Sequence, residues 1–183
     1  MAKVMLKNVR LSFPDLFQPK SFDGQTDPKY GASFLIEKEG ENYDKIINAM
    51  KLVATEKWGK AADKAYAQLS KSGKVFLSDG DDKEYDGYKD MYVVGARSHN
   101  RPLVIDKDKT VLDSTDGKPY SGCYVNASIE VWAQDNKWGK RINAQLRGVQ
   151  FFADGEPFSG GGAASADEFD AFAEDDDDDF DSF

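Results

Sequence analysis

Period-two alternation of apolar and polar residues runs through most of this chain, and it predicts strands. In the first segment the apolar positions are Val4 and Leu6, then Val9, Leu11 and Phe13. The alternation breaks at Lys7 and Asn8, which predicts a bulge where one strand switches the face it buries. In a second segment Tyr30, Ala32, Phe34 and Ile36 alternate with Gly31, Ser33 and Leu35. A third runs through Met91 to Ala96, with a short apolar continuation at Leu103 to Ile105. The clearest pair comes late. Cys123, Val125, Ala127, Ile129, Val131 and Ala133 share one face of a long strand, and Tyr124, Asn126, Ser128, Glu130 and Trp132 share the other. After a turn at Asp135-Asn136-Lys137, a partner strand sends Ile142, Ala144 and Leu146 inward and Arg141, Asn143, Gln145 and Arg147 outward. This is a β-hairpin with one apolar and one polar face.

One stretch changes period. Tyr43, Ile46, Ile47, Met50, Val53, Ala54 and Trp58 recur at three- and four-residue spacing, and Gly59 follows as a stop, which predicts a helix between the second and third strands. A shorter helical stretch, Ala61 to Leu69, ends before Gly73, and the acidic segment Ser78 to Gly87 reads as a surface excursion. The expected fold class is therefore mainly β: an OB-fold-like β-barrel with one main α-helix, since closure removes exposed sheet edges. An open α+β sheet packed on the helix is the alternative. OB barrels usually carry their helix after the third strand, so either a strand lies hidden near Leu16 to Phe22 or the topology is a variant.

Charge divides the chain. The formal net charge is −9, yet all 24 Lys and Arg and 23 of the 33 Asp and Glu precede residue 159. The body thus carries +1 and the remainder −10. Residues 1–158 read as the folded domain, 159–166 as a flexible Gly/Ala/Ser linker, and 167–183 as an acidic tail that like-charge repulsion keeps disordered. One cysteine, Cys123, allows no internal disulfide, and one histidine, His99, allows no Cys/His zinc site. With no apolar run of signal-peptide or membrane-span length at the N-terminus, a soluble protein of a reducing cytoplasm is expected.

The polar hairpin face carries the most suggestive chemistry. Tyr124 and Trp132 interleave there with Arg141 and Arg147, and Lys137, Trp138 and Lys140 crowd the tip. Single-stranded DNA offers phosphates to cations and unstacked base faces to aromatic rings, at roughly 1–3 kcal/mol per stacked base. Every base has a π-face, so such a surface tolerates any sequence. The plainer reading is an outward Trp covered by a loop and an Arg paired with Glu130. A second basic-aromatic cluster comprises Tyr92, Arg97, His99 and Arg101; Lys7 and Arg10 on the first strand, and Tyr85, Tyr88 and Lys89 in a loop, are further candidates. Enzyme readings fare poorly. The carboxylates of Ser78-Asp-Gly-Asp-Asp-Lys-Glu lack calcium-loop spacing, and no phosphate-binding GxxxxGK[ST] or nucleophile elbow is present. No cofactor is expected.

The acidic run follows the glycine-rich linker and finishes in Phe180-Asp-Ser-Phe183. Solubility does not require those aromatic residues, but a partner's basic pocket could hold them. The layout resembles the bacteriophage replicative single-stranded-DNA-binding proteins, which combine an OB-fold body, a linker and an acidic tail with a terminal phenylalanine. LKNVRLSFPDLF (6–17), KYGASFLI (29–36) and LRGVQFF (146–152) are similar to a phage family of this type. The resemblance implies a role in phage DNA replication and recombination in the cytoplasm of the bacterial host. It also implies that Asp175, Asp176, Asp177, Asp178, Asp179, Phe180, Asp181 and Phe183 contact a DNA polymerase, helicase or nuclease. The expected function is coating of single-stranded DNA by a monomer or dimer. A single-strand annealing recombination protein and a tail-mediated adaptor without DNA binding are the alternatives.

Overall fold

A strand that changes partners along its length organises the fold. In this computed structural model, which describes residues 1–21, 27–158 and 169–171, strand β1 spans Ala2–Lys20. Its first half pairs antiparallel with β6 (Tyr124–Asn136), and its second half pairs antiparallel with β2 (Lys29–Glu37). The predicted bulge is present. The register with β6 slips between Leu6 and Val9, Asn8 takes a left-handed φ of 53°, and Val4, Leu6, Val9 and Leu11 all stay buried. A second irregularity, which alternation did not predict, lies between Ser12 and Asp15, with Phe13 at φ 47°. It ends the inward phase after Leu11 and turns Phe13 outward.

Between β2 and β4 (Met91–Ser98) come helices α1 (Glu41–Trp58) and α2 (Ala62–Lys71) and the short strand β3 (Leu77–Asp79). Gly59, at φ 55°, ends α1 as expected. Ile46, Ala49, Met50, Val53 and Ala54 face the core, so α1 packs on β1 and β6. After β4 follow β5 (Leu103–Ile105), β6 and β7 (Gly139–Ala153), the last two forming the predicted hairpin with Lys137-Trp138 at its tip.

Five strands close on themselves. Their order is β4-β2-β1-β6-β7, and a parallel contact of Arg97 with Gln145 joins β7 back to β4. Counting barrel strands alone, this is a three-stranded meander whose first strand pairs with the fourth and whose third meets the fifth, the connectivity of an OB barrel. The helices follow the second barrel strand rather than the third. Leu16 and its neighbours belong to the far end of β1, not to a separate strand, so the topology is a variant.

Inside lie Leu6, Leu11, Phe34, Ile129, Ile142 and Leu146, all essentially without solvent contact. A smaller cluster covers the outer face of β2, where Leu35 packs with Tyr88, Val93, Met91 and Phe158. A strap after β7 completes it. The Tyr120 hydroxyl donates to Asp154 Oδ1 at 2.8 Å, and Arg10 donates to the carbonyls of Gly122 and Glu156 while lying 4.1 Å from the Phe158 ring centroid. Among the described residues no helix is long and apolar enough to cross a membrane.

Candidate nucleic-acid interface

The second irregularity of β1 builds one end of a groove. Phe13 is 44% exposed there, and the segment after β3 brings Tyr85, 54% exposed, edge-on to it with ring centroids 5.0 Å apart. Tyr85 rests in turn on Tyr88 at 5.2 Å. Tyr88 is buried, and its hydroxyl pairs with Ser12 Oγ at 2.6 Å, which fixes the loop to the barrel. A large apolar ring held at left-handed φ and presented to water costs about 1–3 kcal/mol of backbone strain, the kind of expense that collects at functional positions.

Beside these rings, Asp15, Lys20, Lys29, Tyr30 and Arg97 line a pocket of about 330 Å³. Its floor crosses Gly31 and Gly95, and a Cβ at Gly31 would sit 3.2 Å from the Ala96 carbonyl, tighter than ordinary contact, so a side chain there would have to push the neighbouring strand back slightly. A second concavity, of about 710 Å³, shares Lys29, Gly95 and Arg97 with the first and extends to Phe76, His99, Trp132 and Arg141. The two form one groove across β2, β4 and the β6–β7 hairpin. Its lining includes the cations Lys20, Lys29, Arg97 and Arg141 and, among the described residues, a single carboxylate, Asp15.

Two titrations in this region are shifted. Burial pushes the Asp15 carboxyl above its ordinary value, while Lys20 and Arg97 pull it down less strongly. At the groove's edge, Asp27 is 2.6 Å from His99 Nε2, and that hydrogen bond holds its carboxyl below the ordinary range.

The sequence-predicted residues divide among several places. Arg97, Trp132 and Arg141 meet in the groove with His99. Lys7, Arg10 and Tyr124 line a different concavity of about 530 Å³ at the first β1 bulge, together with Lys89, Glu37, Glu39 and Glu41. Trp138 projects from the hairpin tip, 78% exposed, with Lys137 Nζ 5.0 Å from its ring. Lys140 faces Trp58 at the end of α1 at 5.7 Å, and Tyr92 packs on Tyr43 with Lys38 alongside. Arg101 lies 5.9 Å from the Phe17 ring. Arg147 pairs with Glu130 at 3.2 Å.

Of the acidic segment, Asp79 and Asp81 both hold Lys38, at 2.8 and 2.7 Å. The linker and the tail positions Asp175 to Phe183 lie outside the described residues. Phe13, Lys20, Lys29, Tyr30 and Phe76 escaped the sequence reading. Alternation gave no signal for Phe13, which stands in regular phase with Val9 and Leu11.

Comparison with known proteins gives concordant matches. Residues 2–181 match the family described as Enterobacter phage Enc34, ssDNA-binding protein. Protein p50 of Acyrthosiphon pisum secondary endosymbiont phage 1 is 50% identical over 171 residues, 92% of either chain. The structure of the single-stranded DNA-binding protein from bacteriophage Enc34 in complex with ssDNA superposes with a TM-score of 0.71 at 32% identity, covering 86% of this chain and 89% of that one. The single-stranded DNA-binding protein gp2.5 of bacteriophage T7 gives a TM-score of 0.58 at 11% identity, over 94% of this chain and 99% of that one, a likeness of fold alone.

Proposed function

This chain belongs to the family of the single-stranded-DNA-binding protein of Enterobacter phage Enc34, and from that premise we propose that it binds single-stranded DNA along the groove from Phe13 to Arg141. The carrying observation is the convergence of four cations with exposed aromatic rings on one concave face of the barrel. Lys20, Lys29, Arg97 and Arg141 take phosphates, while Phe13, Tyr85 and Trp132 offer faces to bases. The stacking residues stand on three different elements, so successive bases meet separate platforms and the strand is held extended. None of these contacts needs a covalent step, and the protein is not an enzyme.

In the cytoplasm of the bacterial host it coats and protects DNA single strands during phage replication and recombination. The acidic tail recruits a polymerase, helicase or nuclease through Asp175 to Asp179, Phe180, Asp181 and Phe183. As a tethered polyanion it also competes for the groove, because a short linker keeps its effective concentration high.

Fluorescence anisotropy with a labelled thymine homopolymer tests the groove. Trp132→Ala should cost about 1–3 kcal/mol, the worth of one stacked base. A double variant, Phe13→Ala with Trp132→Ala, that binds as tightly as the parent would move the site elsewhere. Ending the chain at residue 166 should tighten binding at low salt; unchanged affinity would refute the competition while leaving recruitment standing.

A further inference from the structure

The pocket at the Phe13 end of the groove contains a group that phosphate binding does not use. Asp15 lines it together with the aromatic rings of Phe13 and Tyr85 and the cations Lys20 and Arg97. A carboxylate repels phosphate, so the DNA backbone would pass over the flanking cations and leave Asp15 to the base. We propose, resting on the groove assignment above, that this pocket takes an unpaired nucleobase and that Asp15 gives it a preference for guanine.

A carboxylate is an acceptor with two oxygens and nothing to donate. Only guanine presents two adjacent donors on its Watson–Crick edge, N1–H and the N2 amine, which match those oxygens bidentately. Adenine and cytosine present one amine beside a ring-nitrogen lone pair. Thymine presents one N–H flanked by two carbonyl oxygens, both repelled by the carboxylate. These edges are free in a single strand. The carboxylate is half-buried, and burial is the largest influence on its titration, with Lys20 and Arg97 pulling the other way. A partly desolvated acceptor gains more from a ligand that brings two donors than from one that brings a single donor beside a lone pair. The aromatic rings supply sequence-blind stacking, and Asp15 adds a base bias at one subsite.

The test uses the full chain, anisotropy, and three oligonucleotides of equal length: all thymine, thymine with spaced guanines, and thymine with hypoxanthine at the same positions. Hypoxanthine keeps N1–H and lacks the N2 amine. The parent should prefer the guanine strand over the thymine strand by roughly fivefold to tenfold, the low end of what one bidentate base contact discriminates. Hypoxanthine should lose most of that gain. Asp15→Asn, nearly isosteric, should abolish the preference while binding the thymine strand at least as tightly as the parent, because it removes a negative charge from the groove. Equal affinity of the parent for all three strands overturns the base preference alone, as does a preference that survives Asp15→Asn. Failure to retain any of the strands overturns the groove itself.

Discussion

Replacing Arg141 by alanine puts the groove to a numerical test. Four cations line it, Lys20, Lys29, Arg97 and Arg141. If each neutralises one phosphate, the logarithm of affinity falls against the logarithm of salt with a slope of about −0.7 per contact on single strands, hence about −2.8. Raising salt from about 50 to about 200 mM should then weaken the parent by roughly 50-fold. Arg141→Ala removes one contact, so its slope should be about −2.1 and the same salt step should cost roughly 18-fold. Arg147 provides the control. It stands on the same strand but is already paired with Glu130 at 3.2 Å and lies outside the groove lining, so Arg147→Ala should leave the slope close to that of the parent. Titrations of a labelled thymine oligonucleotide at several salt concentrations give all three slopes. An Arg141→Ala slope equal to the parent's, or an Arg147→Ala slope reduced as much as that of Arg141→Ala, would refute the assignment of phosphate contacts.

Three further outcomes test the framework beneath the groove. Tyr88→Phe strands the buried Ser12 hydroxyl, its partner at 2.6 Å, and should lower stability by about 1–3 kcal/mol in urea unfolding with the denaturant slope unchanged; a neutral result would deny that this bond fixes the Tyr85 loop. Burial pushes the Cys123 thiol up to about 11, so Ellman's reagent should leave the native protein unlabelled at pH 8 and react only after denaturant; prompt native labelling would contradict the core placement. The Lys38 ammonium and backbone amides hold Asp79 and Asp81 below their ordinary value of 3.8. Their contribution is complete above that pH and disappears as the pH falls through their folded values, so Asp79→Asn with Asp81→Asn should lower stability at neutrality, leave it unchanged below those values, and so flatten the acid limb of urea-unfolding stability measured against pH.

Alternation carried the fold because barrel strands bury one face, and burial leaves a period-two record wherever a strand is regular. It located the β6–β7 hairpin, though its turn falls at Lys137-Trp138 because Asp135 and Asn136 still pair with β7, and its failure at Lys7 and Asn8 marked the first bulge correctly. It failed at Phe13, where an apolar residue in apparent phase with Leu11 points outward because a second irregularity resets the phase. Tyr88 misled in the opposite sense: a tyrosine in an acidic, glycine-punctuated loop is buried, because the loop folds back over Leu35. The site was legible only in part, and for a topological reason. The groove runs across neighbouring strands, so its residues come from positions 13 to 30, 76 to 99 and 132 to 145, and only the last group lies on one hairpin. Arg97 enters because β4 closes the barrel onto β7 through Gln145, a pairing no local pattern announces. Arg10, a first-strand candidate in the sequence, ties the strap to the barrel.

A body of net charge +1 can grip a polyanion because its charges are sorted in space. Many of its carboxylates are placed away from the groove and already matched: Asp79 and Asp81 with Lys38, Asp106 with Lys118, Glu130 with Arg147, Glu41 with Lys45. Such pairs cancel at a distance, and among the described residues the groove lining holds more cations than carboxylates. The strap adds a second consequence. It ends at Phe158, whose ring is 6.4 Å from Tyr88, which is itself 5.2 Å from Tyr85 at the groove wall. The chain therefore continues into its acidic residues from a point two rings removed from the groove. The proposed competition by the tail would then depend on where the strap is pinned, with the Arg10–Phe158 contact as part of its mechanism. Arg10→Ala should loosen the strap and weaken self-competition, so that at low salt the full-length variant binds a thymine oligonucleotide more tightly than the parent, while the same substitution in a chain ending at residue 166 leaves affinity unchanged. Equal effects in both backgrounds would mean that Arg10 acts on the DNA directly and not through the tail.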